Sequence, residues 1–385
     1  MRVWPGEAAH ARAVTGLDVL ATIGTDVALM HLHGISQKLK FKGLQEKAGE
    51  KIQAIAEARG LSSEELADRL VPDLGLDESG SMTLDFGPRQ FRVGFDEALK
   101  PFVRDGAGER LGDLPKPRKD DDGEKAKAAT DAWKALKKDA KTIASQQVTR
   151  LELAMCGRRR WSEEVFRRFL VEHPLVRHLV VRVVWGAYSA DTDTLLACFR
   201  VAEDGSLADP NDDAWELPSG ACVGVVHALE IAPDDAAKLG QTFGDYEILQ
   251  PFKQLGRETY ALTEAEKAGE VLQRWKDREV ATGSVLGLEA RGWRRGAAQD
   301  AGIIHWFERE VPGPEGTVML SLDFEPGVIA GAATEWKEQK LHGVGFGYDW
   351  TWRRTQGEQK LGTLHPIVLS EIVRDVEIVV SGAGT

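Results

Sequence analysis

The most distinctive polar stretch of the sequence covers residues 245–257 and mixes acidic, amide, aromatic and arginine side chains without a simple period. Such a composition predicts an irregular connection that is held by hydrogen bonds. In one interpretation, Gln250, Gln254 and Arg257 donate hydrogen bonds to an anion or a base. In the other, these groups satisfy buried backbone in an interior seam that joins the helical front of the chain to its strand-rich rear. The residues that we single out as ligand or partner contacts are Asp245, Tyr246, Gln250, Gln254 and Arg257.

The histidines do not form a recognisable metal-binding pattern. His31 and His33 lie two residues apart, so on a helix they face different directions, whereas two zinc ligands on one helix need to share a face. His227 and Glu230 have the spacing of one helical face, but the residues around them look extended. We therefore interpret His227 as a hydrogen-bonded structural residue and predict no metal site and no cofactor.

No motif in the sequence identifies a reaction. A dinucleotide site requires Gly-x-Gly-x-x-Gly between a strand and a helix, whereas the glycines Gly343, Gly345 and Gly347 are followed by residues typical of a strand or turn. We interpret them as strand glycines that allow close packing. A Walker loop and an esterase nucleophile elbow are both absent. The sequence leaves enzymatic activity open and favours a protein that is not an enzyme.

Two basic clusters have the chemistry to contact phosphate. One contains Arg158, Arg159 and Arg160, and the other includes Lys38 and Lys42. The same residues also suit a helix C-terminus and an ordinary solvated helix face. The formal net charge of −12 argues against a protein whose whole surface binds nucleic acid, so any such binding is confined to a local basic patch.

Composition sets the broad class of the protein. The 385 residues are 42% hydrophobic and 29% charged, which is enough to bury a sizeable core and to form two or three domains. No apolar run reaches the length of a membrane-spanning helix, and the first residues lack the order of a signal peptide. The three cysteines are few and widely separated, which favours free thiols over disulfides. We expect a cytoplasmic protein without a membrane anchor.

Helices dominate the first part of the chain. Apolar residues recur at helical steps over residues 27–58, which predicts one long amphipathic helix or two helices joined near Gly43. Ser62 and Glu65 have the spacing of a capping box and predict the start of another helix. Such helices need neighbours on which to bury their apolar stripes. We therefore expect residues 1–80 to be a HEAT-like segment at the end of a helical repeat array.

The second predicted domain, residues 81–190, combines a small hairpin with helices. Alternating apolar residues at 82–95 predict the hairpin, and the charged residues 115–125 predict a solvated loop. A long helix is predicted over residues 126–155 and a second helix near Ser162. The apolar run over residues 175–188 is interpreted as a buried helix.

Strands dominate the third predicted domain, residues 191–385. Helices are expected after Pro233 and after Thr263, which forms a capping box with Glu266. This mixed order favours an α+β fold, in which a helical segment is followed by a module of helices and antiparallel sheet. The predicted strands cover residues 195–201, 222–229, 302–310, 317–324 and 340–348.

Several stretches together resemble one protein family. They are HGISQK at residues 33–38, FKGLQ at 41–45, LVPDLGL at 70–76 and the whole 245–257 segment. By this pattern the chain resembles the MolR-like bacterial proteins that carry domain of unknown function 4132. The resemblance covers nearly the whole chain, and it implies no catalytic residues.

The resemblance implies a scaffold or regulator within a larger protein. In that family the domain often follows helical repeats and sometimes a WGR nucleic-acid-binding domain. Neighbouring genes can encode a MoxR-type ATPase and a von Willebrand A protein, which are the implied protein partners. Residues 185–187 of this chain only superficially echo the WGR signature, so nucleic-acid binding is not implied.

Three hypotheses about function follow. The leading one is a non-catalytic interaction or regulatory module of a larger MolR-like bacterial protein. The first alternative is an enzyme of unrecognised class in which Asp245, Gln250, Arg257 and His227 converge on one cleft. The second alternative is a module that binds nucleic acid through its arginine and tryptophan clusters.

Overall fold

The structure is a computed structural model that describes residues 10–25, 28, 29, 31, 32, 35, 42–329, 331, 332, 335–347 and 359–382. The chain divides into two compact units: residues 1–147, 163–182 and 201–205 form the first, and residues 148–162, 183–200 and 206–385 form the second. Both contain helices and antiparallel strands, so the α+β class is confirmed. The three-domain division and the HEAT-like character of the first residues stay predictions.

In the first unit, three helices whose bounds lie within the described residues share an apolar core. Leu17, Leu44, Ile52 and Leu66 are among the residues that meet in this core, because each helix places its leucines and isoleucines on one face. The capping box is confirmed: the Ser62 hydroxyl accepts from the Glu65 amide at 3.1 Å, and the Glu65 carboxylate accepts from the Ser62 amide at 2.8 Å. The predicted helix over residues 27–41 falls largely outside the described residues. The helices are α1 (His10–Ile23), α2 (Lys42–Ala58) and α3 (Ser63–Arg69).

A four-stranded meander follows and confirms the predicted hairpin. Its strands pair in chain order, and two of its turns are built in the same way. Asp96 accepts from the amides two and four residues later at 3.0 and 2.9 Å, and Asp105 does so at 2.9 and 3.0 Å. An aspartate at the first position of a turn commonly forms such bonds. The strands are β1 (Thr83–Asp85), β2 (Gln90–Phe95), β3 (Pro101–Arg104) and β4 (Arg110–Leu111).

A 34-residue helix, α4 (Gly123–Cys156), confirms the predicted long helix. In the first unit, its Trp133, Leu136 and Ile143 share an apolar core with Phe86 and Val93 of the meander region. The helix predicted near Ser162 is present as α5 (Glu163–Phe166), which continues as a π-helical turn to Val171. The next helix, α6 (Arg177–Val180), is short.

The expectation of a buried helix over residues 175–188 is correct only for Arg177–Val180 and is wrong for the rest of the span. Trp185–Tyr188 form a strand, β6, whose four residues are all buried. A strand buried on both faces has no apolar and polar alternation, and therefore its sequence is hard to distinguish from that of a buried helix.

Strand β6 belongs to the first sheet of the second unit, in which the strand order is β5-β10-β6-β7-β8-β9. Helix α7 (Pro233–Asp245) contributes Leu239 and Phe243 to an apolar core that also contains Val184 and Val226. The predicted strand at 195–201 and the helix after Pro233 are confirmed, whereas the strand predicted at 222–229 ends at Val225. The other strands are β5 (Trp161–Ser162), β7 (Leu195–Val201), β8 (Leu207–Ala208), β9 (Ala214–Trp215) and β10 (Cys222–Val225).

A second antiparallel sheet of this unit contains the three long strands predicted near the C-terminus. Its order is β11-β16-β15-β14-β13, with β12 also paired to β16. Gly343 lies in β16, where a Cβ atom would come within 2.8 Å of the Leu272 carbonyl oxygen, so this strand glycine permits a close backbone approach. The strands are β11 (Val271–Leu272), β12 (Glu279–Ala281), β13 (Arg294–Arg295), β14 (Ile303–Gly313), β15 (Gly316–Ile329) and β16 (Glu338–Phe346).

Three helices accompany this sheet. The Thr263 capping box is confirmed at the start of α8 (Glu264–Lys267), and α9 (Thr282–Gly287) follows strand β12. Helix α10 (Pro366–Ser381), which the sequence analysis did not predict, contributes Ile372, Val373 and Val376 to the apolar core of the sheet. None of the helices in the described ranges has the length and hydropathy needed to cross a membrane.

Candidate functional site

The 245–257 segment begins at the last residue of α7 and contains no regular element after Asp245, as predicted. Gln254 is its anchor and is 0% exposed. Its side-chain amide donates to the carbonyl oxygens of Val184 at 2.7 Å and Val226 at 2.9 Å. Its carbonyl oxygen accepts from the Val184 amide at 2.8 Å and from Gln250 at 2.9 Å. Gln254 therefore satisfies backbone beside strands β6 and β10.

Arg257 is the second anchor and is 4% exposed. Its Nε and Nη2 atoms donate to the two carboxylate oxygens of Glu371 at 2.8 and 2.7 Å. Its Nη1 atom donates to Glu152 at 2.9 Å and to the Lys253 carbonyl oxygen at 2.8 Å. The remaining donor of Nη2 faces the Cys156 sulfur at 3.5 Å. All five N–H groups of the guanidinium therefore have partners within the second unit.

Glu371, on α10, accepts hydrogen bonds from side chains of several elements. In addition to Arg257, it accepts from His227 Nε2 at 3.0 Å and from the Cys156 thiol at 3.2 Å. The other ring nitrogen of His227, Nδ1, lies 3.2 Å from the Leu229 amide nitrogen, which donates to it. His227 thus bonds to Glu371 through one ring nitrogen and to the backbone through the other. The interpretation of His227 as a hydrogen-bonded structural residue is supported.

The electrostatics of this network favour a fixed ion pair. Burial alone would raise the pKa of Glu371, but hydrogen bonds from Arg257 and His227 outweigh it and hold the pKa below its ordinary value. Burial would likewise lower the pKa of Arg257, and the bonds to Glu371 reverse that effect. Burial, reinforced by the Glu371 carboxylate, raises the pKa of the Cys156 thiol well above its ordinary range. Cys156 is therefore a neutral hydrogen-bond donor and a poor nucleophile.

The basic cluster predicted at residues 158–160 is largely paired with carboxylates. Arg158 binds Asp193, and Arg160 donates to Asp193 at 2.8 Å and approaches Glu230 at 3.4 Å. The Arg160 guanidinium also lies 3.4 Å from the centroid of the Tyr188 ring. These contacts leave little free positive charge for phosphate.

The other predicted basic residues are Arg159, Lys38 and Lys42. Arg159 lies 5.0 Å from the centroid of the Trp161 ring. Lys38 lies outside the described residues, and Lys42 begins α2 without a described side chain. Of the five predicted basic residues, the structure thus describes the side chains of Arg158, Arg159 and Arg160, and a patch that includes Lys38 and Lys42 stays a prediction.

The beginning of the 245–257 segment is exposed. The Asp245 carboxylate accepts from Gln241 at 2.7 Å on the surface of α7. Tyr246 is 58% exposed, its hydroxyl donates to Asp212 at 2.8 Å, and the guanidinium of Arg200 lies 5.0 Å from its ring centroid. Leu249 is 62% exposed. The expectation of an interior segment therefore holds for Gln254 and Arg257 but not for Asp245 and Tyr246.

Glu371 and Asp375, two buried carboxylates of α10, were not predicted from the sequence. Asp375 accepts from the Trp293 indole at 2.9 Å and also binds Arg291 and Arg309. Two acids spaced four apart among apolar residues were the available signal, because such acids lie on one helix face and need buried partners. Among the described residues, no group of three His, Cys, Asp or Glu side chains is arranged to hold a metal ion.

Most residues of this network lie in a region that matches a known protein family. Residues 108–293 match the family described as domain of unknown function (DUF4132). The DUF4132 match includes Cys156, His227, Gln254 and Arg257 and ends before Glu371. It supports the DUF4132 part of the resemblance stated above, whereas the MolR-like assignment stays a proposal.

The similarity to a bacterial relative covers more of this chain than the DUF4132 match does. The chain is 42% identical over 325 residues to the Escherichia coli (strain K12) protein named "Uncharacterized protein YehI". The similarity covers 84% of this chain but 26% of that relative, so the chain spans about a quarter of the relative's length. No solved structure gives a significant match.

Proposed function

We propose that this chain is a non-catalytic interaction or regulatory module of a longer, MolR-like bacterial protein. The observation that carries the proposal is the complete internal pairing of Gln254 and Arg257, the two most chemically capable residues of the 245–257 segment. Both side chains bind groups of the same unit with all their donors. Groups used in this way position a segment of the chain and have no donor left for a substrate.

The anchored segment supplies the proposed contact surface. Tyr246 and Leu249 are exposed at its start, while Gln254 and Arg257 fix its end in the interior. An exposed aromatic residue on a fixed backbone suits protein binding, because little conformational entropy is lost when a partner docks. We therefore propose a protein partner for this surface. The resemblance suggests a MoxR-type ATPase or a von Willebrand A protein.

The proposed compartment is the cytoplasm. Cys156, Cys198 and Cys222 are all free thiols, and free thiols suit a reducing environment. The proposed HEAT-like helices would belong to the same intracellular protein.

The geometry gives less support to the two alternatives. The enzyme hypothesis requires Asp245, Gln250, Arg257 and His227 to face one cleft. Arg257 and His227 meet at Glu371, whereas Asp245 binds Gln241 on the surface. The nucleic-acid hypothesis requires free arginines, but Arg158 and Arg160 are bonded to acidic side chains. We therefore propose neither as the function.

The test is recovery of partners by the full-length protein that contains this chain. The variant Tyr246→Ala/Leu249→Ala removes the exposed apolar groups without touching the buried anchors. Its bound proteins are compared with those of the wild type by affinity purification and mass spectrometry. We expect at least one specific partner to be lost while the melting temperature stays close to that of the wild type.

The matched control is Val19→Ala, which removes a side chain from α1 that is apolar and 51% exposed. This control should keep every partner. An identical set of partners in the double variant and the wild type would contradict the proposed surface, as would an equal loss in the control.

A further inference from the structure

The outer face of the meander in the first unit carries a row of three arginines. Arg92, Arg104 and Arg110 are direct cross-strand partners on β2, β3 and β4. Their side chains point away from the apolar core, because the neighbouring Phe91 and Val103 point into it. All three are exposed, with 61% of the Arg92 side chain and 53% of the Arg110 side chain open to solvent. Since like charges directly opposite each other destabilise a sheet, a structural role does not account for this row.

Neutral groups hold two of these guanidinium groups in place. Arg92 donates from Nε to the Ser81 hydroxyl at 3.1 Å and from Nη2 to the Ser79 hydroxyl at 2.8 Å. Arg104 donates from Nη1 to the carbonyl oxygen of Gly108 at 3.0 Å. Such contacts fix the direction of a side chain without neutralising its charge. The cations are therefore positioned for a ligand before it binds.

The carboxylates near the row neutralise it only weakly. Asp77 lies 3.8 Å from Nη2 of Arg92, and Asp96 lies 3.8 Å from Nη2 of Arg110. These separations are longer than a hydrogen bond, and exposed ion pairs contribute little. Within the described ranges, Arg104 at the centre of the row forms no ion pair. The row therefore keeps positive charge that an anion can use.

An aromatic ring lies beneath the end of the row. Phe102 is 8% exposed, and it packs over Gly94, where a Cβ atom would come within 2.7 Å of the ring. The Arg110 guanidinium lies over this ring at 3.9 Å from its centroid, and that of Arg104 lies at 5.3 Å. The ring thus holds the Arg110 guanidinium from one side, while about half of the side chain stays exposed. A guanidinium plane that is open on one side is a surface on which an unpaired nucleobase stacks.

We propose that this face binds a single-stranded nucleic acid, with Arg92 and Arg104 on two phosphates and Arg110 under one base. The planar fork of a guanidinium matches the oxygens of a phosphate. A single strand fits better than a duplex because its bases have free faces, and a run of carboxylates would leave the open face of Arg110 unused. None of the three arginines belongs to the basic clusters predicted from the sequence.

The inference goes beyond the proposed function and does not depend on it. The arginine row belongs to the first unit, whereas the surface around Tyr246 belongs to the second. The net charge of −12 restricts nucleic-acid binding to a local patch of this kind.

The test is fluorescence anisotropy of labelled dodecathymidylate with this chain, over about 50 to 200 mM potassium chloride. A plot of the logarithm of the binding constant against that of the salt concentration should have a slope of about −1.4, since each phosphate contact on a single strand contributes about −0.7. Arg104→Gln should weaken binding about tenfold and bring the slope to about −0.7. Its melting temperature should stay level or rise, because like-charge contacts are relieved. The matched control Arg59→Gln removes an exposed arginine elsewhere in the first unit and should change neither the affinity nor the slope.

The stacking role of Arg110 is tested with a strand of the same length that lacks bases. This abasic strand should bind about tenfold more weakly than dodecathymidylate. Arg110→Lys keeps the charge but removes the guanidinium plane, so it should weaken binding of dodecathymidylate and leave binding of the abasic strand unchanged. An arginine with only a structural role would affect both strands alike.

The absence of saturable binding at about 50 mM salt would overturn the inference, as would a salt slope that Arg104→Gln leaves unchanged. Equal binding of the abasic strand and dodecathymidylate would also overturn it. Tighter binding of a duplex of the same length would reject the single strand as the ligand. Tighter binding of a glutamate dodecapeptide would show that the row recognises an acidic protein segment instead.

Discussion

Arg257 and Glu371 lie 114 positions apart in the chain, yet they are joined by two parallel hydrogen bonds of 2.8 and 2.7 Å. This buried pair connects the end of the 245–257 segment to helix α10. The pair also brings in Glu152 and Cys156 from the end of α4 and His227 from the loop after β10. The side chains of Arg257, Glu371, Cys156 and His227 have the chemical groups that active sites use, yet here they belong to one structural network.

Replacement of Arg257 by Met should strongly destabilise the chain. The change leaves the Glu371 carboxylate buried without its cation, which typically costs about 3–5 kcal/mol. The free energy of unfolding, measured by urea denaturation, should fall by this amount. The double variant Arg257→Met/Glu371→Met should recover much of the loss, because it removes both charges together. A single-variant loss below about 1 kcal/mol would contradict the structural role of the pair.

Gln254→Leu should also be destabilising, for a different reason. The leucine leaves backbone groups of Val184 and Val226 without side-chain partners, at roughly 1–3 kcal/mol for each unsatisfied buried group. Gln250→Leu is the matched control, since Gln250 is partly exposed and lies at the edge of the network. Equal losses of unfolding free energy in the two variants would show that burial of Gln254 is not decisive.

The three thiols should differ in reactivity while the chain is folded. Cys156 and Cys198 are buried, whereas Cys222 is partly exposed. Burial raises the pKa of the Cys198 thiol to about 12 and that of Cys156 still further, so both are protonated at neutral pH. Iodoacetamide labelling followed by peptide mass spectrometry should therefore find Cys222 modified first. Early modification of Cys156 would show that the network opens to solvent.

Acid should weaken the chain partly through Glu266. Hydrogen bonds from Arg274 are the main reason that the pKa of Glu266 lies at about 2, compared with an ordinary value of 4.5. Since the folded-state pKa is depressed, the stabilisation is present above about pH 4.5 and is lost as the pH falls towards 2. Glu266→Gln should therefore lose less stability than the wild type between pH 4.5 and 2, measured as urea midpoints. Parallel midpoint curves would exclude this contribution.

Local sequence signals predicted much of the fold. The capping boxes at Ser62 and Thr263 were identified because both partners lie within four residues of each other. The long strands β14, β15 and β16 and the helix α4 were identified from their periodicity. Residues 185–188 were assigned to a helix because their run is apolar on every side, and only pairing with β7 and β10 reveals a strand.

The candidate site was harder to predict, since its contacts are distant in sequence. Gln254 and Arg257 stood out by residue type, but nothing near them indicates that their partners are Val184, Val226 and Glu371. Tyr246, in the same segment, proved to be exposed because the chain turns inward only after Leu249. Helix α10 was not predicted, even though Glu371 and Asp375 lie four positions apart among apolar residues, a spacing that indicates buried partners.

The most direct test compares two variants of the full-length protein by partner recovery. One is Arg257→Met/Glu371→Met, which replaces the buried ion pair, and the other is Tyr246→Ala/Leu249→Ala, which alters the exposed surface. We expect the buried double variant to fold and keep its partners, because Gln254 still anchors the segment to Val184 and Val226, whereas the surface variant should fold and lose them. A buried double variant that folds with wild-type stability but loses its partners, while the surface variant keeps them, would contradict the account.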